Sequence, residues 1–144
     1  MGKEIYMTKV MVSGCFDVLH SGHIAFLEEA AEHGQLYVSI GSDETILKYK
    51  NRPSLYTQDE RKYMLEALRC VEQVFIGPDN GIMDFAPLLD VVKPDIFFVN
   101  QDGDSEQKRT FIESKGIKYI VSKRLPHDAL PVRSTTAIRA ILKK

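Results

Sequence analysis

Cysteine is scarce: the chain has two, Cys15 and Cys70, far apart and in different contexts. A disulfide framework and a cysteine-rich zinc site are both excluded, and a reducing cytoplasm is the expected compartment. Excess charge is also missing, since 19 basic against 20 acidic residues leave a net charge of −1. Long nucleic acid would call for a basic excess, so any charged ligand should be small and held in a local pocket. No apolar run approaches the roughly 18 residues of a membrane span, and Met1 to Met7 is too polar for a signal peptide. Repeats, low-complexity stretches and linkers are absent. With 144 residues, 44% apolar and 27% charged, the sequence reads as a single domain over 1–144 with a core of its own.

Short apolar runs alternate with amphipathic stretches throughout. Val10 to Ser13, Leu36 to Ile40, Val74 to Ile76, Ile96 to Val99 and Tyr119 to Val121 read as strands buried on both faces. Between them, helices are expected over His23 to His33, from the capping box Thr57-Gln58-Asp59-Glu60 onward, over Ile82 to Val92, over Ser105 to Lys115 and over Thr135 to Lys143 with Ser134 as N-cap. Strands alternating with helices imply right-handed crossovers and an α/β, Rossmann-like, doubly wound five-stranded parallel sheet, with order 3-2-1-4-5 expected. Ligands of such sheets bind beyond the carboxyl ends of the strands, where the order reverses.

Two clusters fall at that edge. After the first strand comes Gly14-Cys15-Phe16-Asp17-Val18-Leu19-His20-Ser21-Gly22-His23. Gly14 allows a sharp turn, the helix start offers free N–H groups and a positive dipole end, and Gly22 allows close approach to the backbone. His20 and His23 can then donate to polyphosphate oxygens and stabilise charge as an α-phosphorus is attacked. Either histidine alone reads as a cap or surface residue. Zinc at His20, His23 and Cys15 lacks a second ligand pair, and neither G-x-G-x-x-G nor G-x-x-x-x-G-K-[ST] is present. The second cluster is Arg133-Ser134-Thr135-Thr136-Ala137-Ile138-Arg139, hydroxyls at a helix start flanked by arginines, a phosphate cradle in form. Alone it is a capped amphipathic helix.

The run from Gly14 to His23 resembles the H-x-G-H signature of the cytidylyltransferase-like nucleotidyltransferase superfamily. Within it the chain resembles glycerol-3-phosphate cytidylyltransferases, the corresponding domain of heptose-phosphate adenylyltransferases, and archaeal-type FAD synthases. The resemblance implies the nucleotidyltransferase type of Rossmann-like (HUP) fold, with His20 and His23 on the NTP phosphates. It also implies that Gly14, Cys15, Phe16, Asp17 and Gly22 line the nucleotide pocket. The second cluster resembles the family's Ser-Thr-Thr-x-Ile-Arg run, which implies Ser134 and Thr135 on the β- and γ-phosphates, with Arg133 and Arg139 nearby. The family also places a lysine after strand 2, for which Lys48 and Lys50 are both candidates, and Arg61 stands where an arginine touches nucleotide or acceptor phosphate, or forms a surface ion pair. Asn100 and Asp102, after strand 4, are expected at the acceptor. The chain departs from the glycerol-phosphate enzymes, whose arginine before Ser-Thr-Thr would fall near Ala129, and from the heptose enzymes, which carry a lysine near Asn100.

The implied reaction moves an NMP from CTP or ATP to a phosphorylated small molecule such as a sugar or polyol phosphate, releasing pyrophosphate. Mg²⁺ arrives with the NTP and no protein metal site is expected. FMN as acceptor is the alternative, and an idle nucleotide sensor or a flavodoxin-like binding protein are the readings without turnover. The resemblance further implies a homodimer, and neither nucleic acid nor membrane is an expected partner.

Overall fold

The computed structural model describes residues 7–78, 81, 83–123 and 130–143. Five parallel strands form one sheet: β1 (Lys9–Gly14), β2 (Gln35–Ile40), β3 (Val71–Ile76), β4 (Ile96–Val99) and β5 (Lys118–Val121). Their order is β3-β2-β1-β4-β5, as the alternation of elements predicts. From β1 the chain winds outward to β2 and β3, then crosses back to β4 on the other side of β1. The order therefore reverses between β1 and β4, which pair through Val10–Ile96 and Met11–Phe97.

Successive residues of a strand face opposite ways, so each strand feeds two cores. On one face Val10, Val12, Leu36, Val38, Ile40 and Phe98 pack with Leu27 and Ala30 of helix α1 (Ser21–Ala31) and Leu65 of α3 (Gln58–Glu66). On the other, Met11, Phe97 and Val99 pack with Leu88 and Leu89 of α4 (Leu88–Val92) and Ile112 of α5 (Glu106–Ser114). Each such fully buried large apolar side chain contributes about 2 kcal/mol of transfer free energy. Glu29 of α1 accepts from Ser122 Oγ at 2.6 Å and Lys123 N at 3.1 Å, tying the end of β5 to α1.

The capping box of α3 forms in both halves, with Thr57 Oγ1 accepting from Glu60 N at 3.2 Å. Two expectations change. Helix α2 (Asp43–Lys50), capped by Ser42 and ended by Asn51 in the left-handed conformation, stands where no helix was expected. Its sequence is too polar to show a clear apolar stripe. Of the helix expected over Ile82 to Val92, Ile82 lies outside the described residues and the helix observed is α4, preceded by turns in which Leu88 N bonds Phe85 O and Leu89 N bonds Ala86 O. Pro87 explains the delay, because it has no N–H to bond back to Met83 and restricts Ala86 before it.

Arg61 is the largest fully buried side chain, at 0% exposure. Its Nε donates to Tyr56 O at 3.1 Å, Nη1 to Cys15 O at 2.9 Å and Gly41 O at 2.7 Å, and Nη2 to Asp43 Oδ1 at 2.9 Å. One guanidinium thus fastens the loops after β1 and β2 to the start of α3. Arg61→Met should cost about 3 kcal/mol or more, since it strands three carbonyls and a carboxylate. Urea unfolding at neutral pH measures this; a cost below about 1 kcal/mol would show that the clamp is dispensable.

Candidate active site

The loop after β1 is held in an unusual conformation. Phe16 and Val18 both have φ of 51°, in the left-handed region that β-branched and bulky residues avoid. Gly14, expected to make the turn, keeps a negative φ side of the map free of that strain. Its role is space, because a Cβ there would sit 2.9 Å from the Phe16 ring. Phe16 itself is 6% exposed and joins the core under α1, so only its backbone is placed for a ligand.

The strained turn aims Asp17 inward. Its carboxylate accepts from Leu55 N at 2.8 Å, Tyr56 N at 3.0 Å and Arg139 Nη2 at 2.7 Å. Its carbonyl accepts from Thr135 Oγ1 at 3.3 Å. Burial alone would raise the Asp17 carboxyl, but these amides and the arginine outweigh it and hold it below the usual carboxylate value. The two sequence clusters, more than a hundred residues apart, are joined here. Helix α6 (Thr135–Leu142) starts at Ser134, whose Oγ accepts from Ala137 N at 3.1 Å. The amides of Thr135 and Thr136 have no partner within a helix at that position, so they point outward with the positive dipole end. Arg139 gives Nη2 to Asp17, while its buried Nε has no hydrogen-bond partner.

His20 is the N-cap of α1. Its Nδ1 accepts from Gly22 N at 3.1 Å and His23 N at 3.4 Å, while His23 Nδ1 accepts from His20 N at 3.2 Å. The rings stack with centroids 3.7 Å apart. The cap reading and the phosphate reading are therefore compatible. A ring nitrogen that accepts carries no proton, so both neutral imidazoles hold their hydrogen on Nε2. The pair thus presents two Nε2–H donors from adjacent parallel rings. Burial pushes His20 below the ordinary histidine value. Burial, then repulsion from His20, brings His23 down to about 4. The free amides expected at the start of α1 are largely consumed by this reciprocal cap; open amides belong to α6 instead.

Gly22 is required by close approach. A Cβ would meet His20 Cε1 at 3.0 Å and the Arg133 carbonyl at 3.2 Å, so α1 and the segment before α6 touch through it. Cys15 is half-buried, and burial raises its thiol while Lys50 and Arg61 pull it back. Lys50 therefore lies near the loop after β1, whereas Lys48 stacks at 5.5 Å over the neighbouring Tyr49 on an exposed face. Arg61, expected at a phosphate or in a surface ion pair, does form an ion pair, with Asp43, but from a guanidinium that is itself buried against protein carbonyls. Asn100 closes its own turn, with Oδ1 accepting from Gly103 N at 2.5 Å, and Asp102 is exposed on that turn. The positions around Ala129 lie outside the described residues.

Residues 11–141 match the family model described as cytidylyltransferase-like. The chain belongs to that family. It is a nucleotidyltransferase. Its sequence is 35% identical to the FAD synthase of Methanocella paludicola over 141 residues, covering 96% of this chain and 98% of that protein. It is 38% identical to the FAD synthase of Pyrococcus abyssi over 122 residues, covering 83% and 80%. Among solved structures it resembles a lipopolysaccharide core biosynthesis protein of Thermoplasma volcanium, with TM-score 0.71, 26% identity, and coverage of 85% of this chain and 100% of that one. A pantoate-β-alanine ligase from Francisella tularensis shares the fold, at TM-score 0.60 and 18% identity over 95% of this chain and 69% of that one. Among the described residues, no helix is long and apolar enough to cross a membrane.

The pH response of the histidine pair follows from its burial. Because the folded value of His23 lies below that of an unfolded chain, neutral His23 supports the fold above about pH 6.5, and that support is lost as pH falls toward 4. Imidazole NMR of the nucleotide-free protein should show His23 neutral at pH 5.5, with Nε2 protonated. Titration at the ordinary histidine value would contradict the buried, stacked arrangement.

Proposed function

We propose that this nucleotidyltransferase is an FMN adenylyltransferase, moving AMP from ATP to the phosphate of FMN to give FAD and pyrophosphate. The observation carrying this reading is near-full-length similarity, at 30–38% identity, to several proteins named FAD synthase. That support favours the flavin alternative over the sugar or polyol phosphate acceptor first expected. It agrees with the absence of the lysine near Asn100 and of the arginine near Ala129 that mark the other two groups.

On this reading an FMN phosphate oxygen attacks the α-phosphorus of ATP, a new P–O bond forms, and the bond to pyrophosphate breaks. A phosphate monoester is already ionised at neutral pH, so no strong general base is needed. His20 and His23 donate from Nε2 to oxygens that gain charge in the transition state. Being neutral, they do so without surrendering a proton to the phosphate. Ser134, Thr135 and the amides opening α6 hold the β- and γ-phosphates. Lys50, nearer the loop after β1 than Lys48, neutralises the α-phosphate. The side chains at this edge are mainly hydrogen-bond donors, and Asp17 is committed to Arg139. Such a set fits phosphate oxygens and would leave Mg²⁺ to be carried by the nucleotide, where it would supply charge neutralisation for the pyrophosphate. The cytoplasm, where both substrates occur, is the proposed location, with a homodimer as the proposed assembly.

ATP with FMN should release pyrophosphate and form FAD, followed by chromatography of the flavin. His20→Ala and His23→Ala should each lower turnover about 100-fold or more while circular dichroism stays native. Lys50→Ala should lower kcat at least tenfold more than Lys48→Ala. Nucleotide binding without pyrophosphate release, across FMN and a panel of sugar and polyol phosphates, would leave a nucleotide sensor as the reading.

A further inference from the structure

Across the switch point from the histidines stands a cation that the sequence patterns did not single out. Lys108, in the first turn of α5, donates from Nζ to Gly103 O at 2.9 Å and lies 6.0 Å from the centre of the Phe85 ring. It is half-buried; burial pushes its ammonium below the ordinary lysine value, and Asp104 and Asp84 pull it back. Phe85 is fully buried between the sheet and α4, so the platform beneath the ammonium is rigid. Asp84 is also buried, and a Cβ on Gly41 would lie 3.7 Å from its Oδ2 and 3.9 Å from Cys15 Sγ. The carboxylate of Asp84 therefore lies between Lys108 and the loop that leads to the histidines. Lys108 is set beyond the phosphate-binding helix starts, along the same carboxyl edge of the sheet.

Its surroundings are charge-matched. Two carboxylates act on it, and Arg109 lies 4.0 Å from one of them, Asp104. Asp104 also accepts from Tyr119 Oη at 2.9 Å. A site for a phosphate dianion needs excess positive charge, and here Asp84 and Asp104 balance the ammonium while Arg109 is paired with Asp104 and Glu113. A single anchored lysine among carboxylates suits an uncharged oxygen instead, with its two remaining N–H groups as donors. We propose that Lys108 is a specificity residue that binds an uncharged oxygen on the acceptor's body, the part remote from the reacting phosphate. This rests on the nucleotidyltransferase reading with FMN as acceptor, where that oxygen is a ring carbonyl of the flavin.

The test separates the acceptor's two ends. Lys108→Met should raise the KM for FMN about tenfold to a hundredfold, with the KM for ATP and kcat changed less than threefold. Riboflavin, which lacks the phosphate, should inhibit the wild type competitively against FMN, and Lys108→Met should weaken its Ki by the same factor. Lys108→Gln, which keeps a neutral donor, should fall between, and it carries the test if Lys108→Met lowers the melting temperature. An unchanged riboflavin Ki with a raised FMN KM would assign Lys108 to the phosphate and overturn the proposal. Equal losses for ATP and FMN, or no change for either, would overturn it too. If FMN is inert and a sugar or polyol phosphate supports release, the FMN reading falls; Lys108 is then judged on that acceptor's KM, with the dephosphorylated acceptor as inhibitor. If no acceptor supports release, both readings fall.

Discussion

The carboxylate of Asp17 is the constraint on which the active edge depends. Three segments distant in sequence meet on it: the loop after β1, the amides of Leu55 and Tyr56, and Arg139 of α6. Its carbonyl adds Thr135. Helix α6 has no fully buried residue, so packing alone gives it little reason to dock. The Asp17–Arg139 pair, 7% and 16% exposed, is what fixes its start beside α1. Removing either partner of such a pair costs about 3 kcal/mol, because the other is left uncompensated. Here the larger consequence is geometric, since the segment before α6 would lose its place against Gly22 of α1.

That anchoring assigns the groups at this edge distinct parts. A helix start ordinarily offers its free amides to an anion, but α1 turns its own amides onto two imidazole Nδ1 atoms. The helix thereby loses backbone donors and gains two oriented side-chain donors further out. Burial lowers both rings below the ordinary histidine value, and repulsion from His20 lowers His23 further, to about 4. On the proposed reaction, a neutral donor in a partly dry site would need no reorganisation as the phosphate oxygens gain charge. The positive-φ strain at Phe16 and Val18 is part of the same arrangement, because that turn carries Asp17 inward before the chain enters α1.

The sheet was legible from its apolar runs because strands buried on both faces have no polar alternation to confuse the pattern. The strand order followed from the alternation of elements and was observed. Helix α2 escaped because it is short, polar and set by its cap and Asn51 rather than by an apolar stripe. Among the site residues, spacing brought His20, His23 and Ser134 forward, since a motif is a local property. Arg61 misled for the opposite reason. An arginine after a capping box reads as surface charge, and nothing local reveals that Cys15 and Gly41 carbonyls converge on it from other strands. Lys108 was overlooked likewise, because its partners at Gly103, Phe85 and Asp84 come together only when α4 and α5 share a face of the sheet.

The two sides of the switch point differ in how easily they can change. On the phosphate side, Gly22 admits no side chain without moving Arg133 or His20, and Asp17 has three partners to satisfy. Substitutions there break several contacts together, so the chemistry is tied to the fold. On the other side, the Asn100–Gly103 turn closes on itself and Lys108 reaches it through one side-chain bond. A different residue at 108 would disturb that turn, the Phe85 face and the charge balance of Asp84 and Asp104. The contacts around Asp17 and Gly22 are thus more tightly interlocked than those around Lys108. On the proposed roles, acceptor choice could therefore change without changing the groups that hold the phosphates.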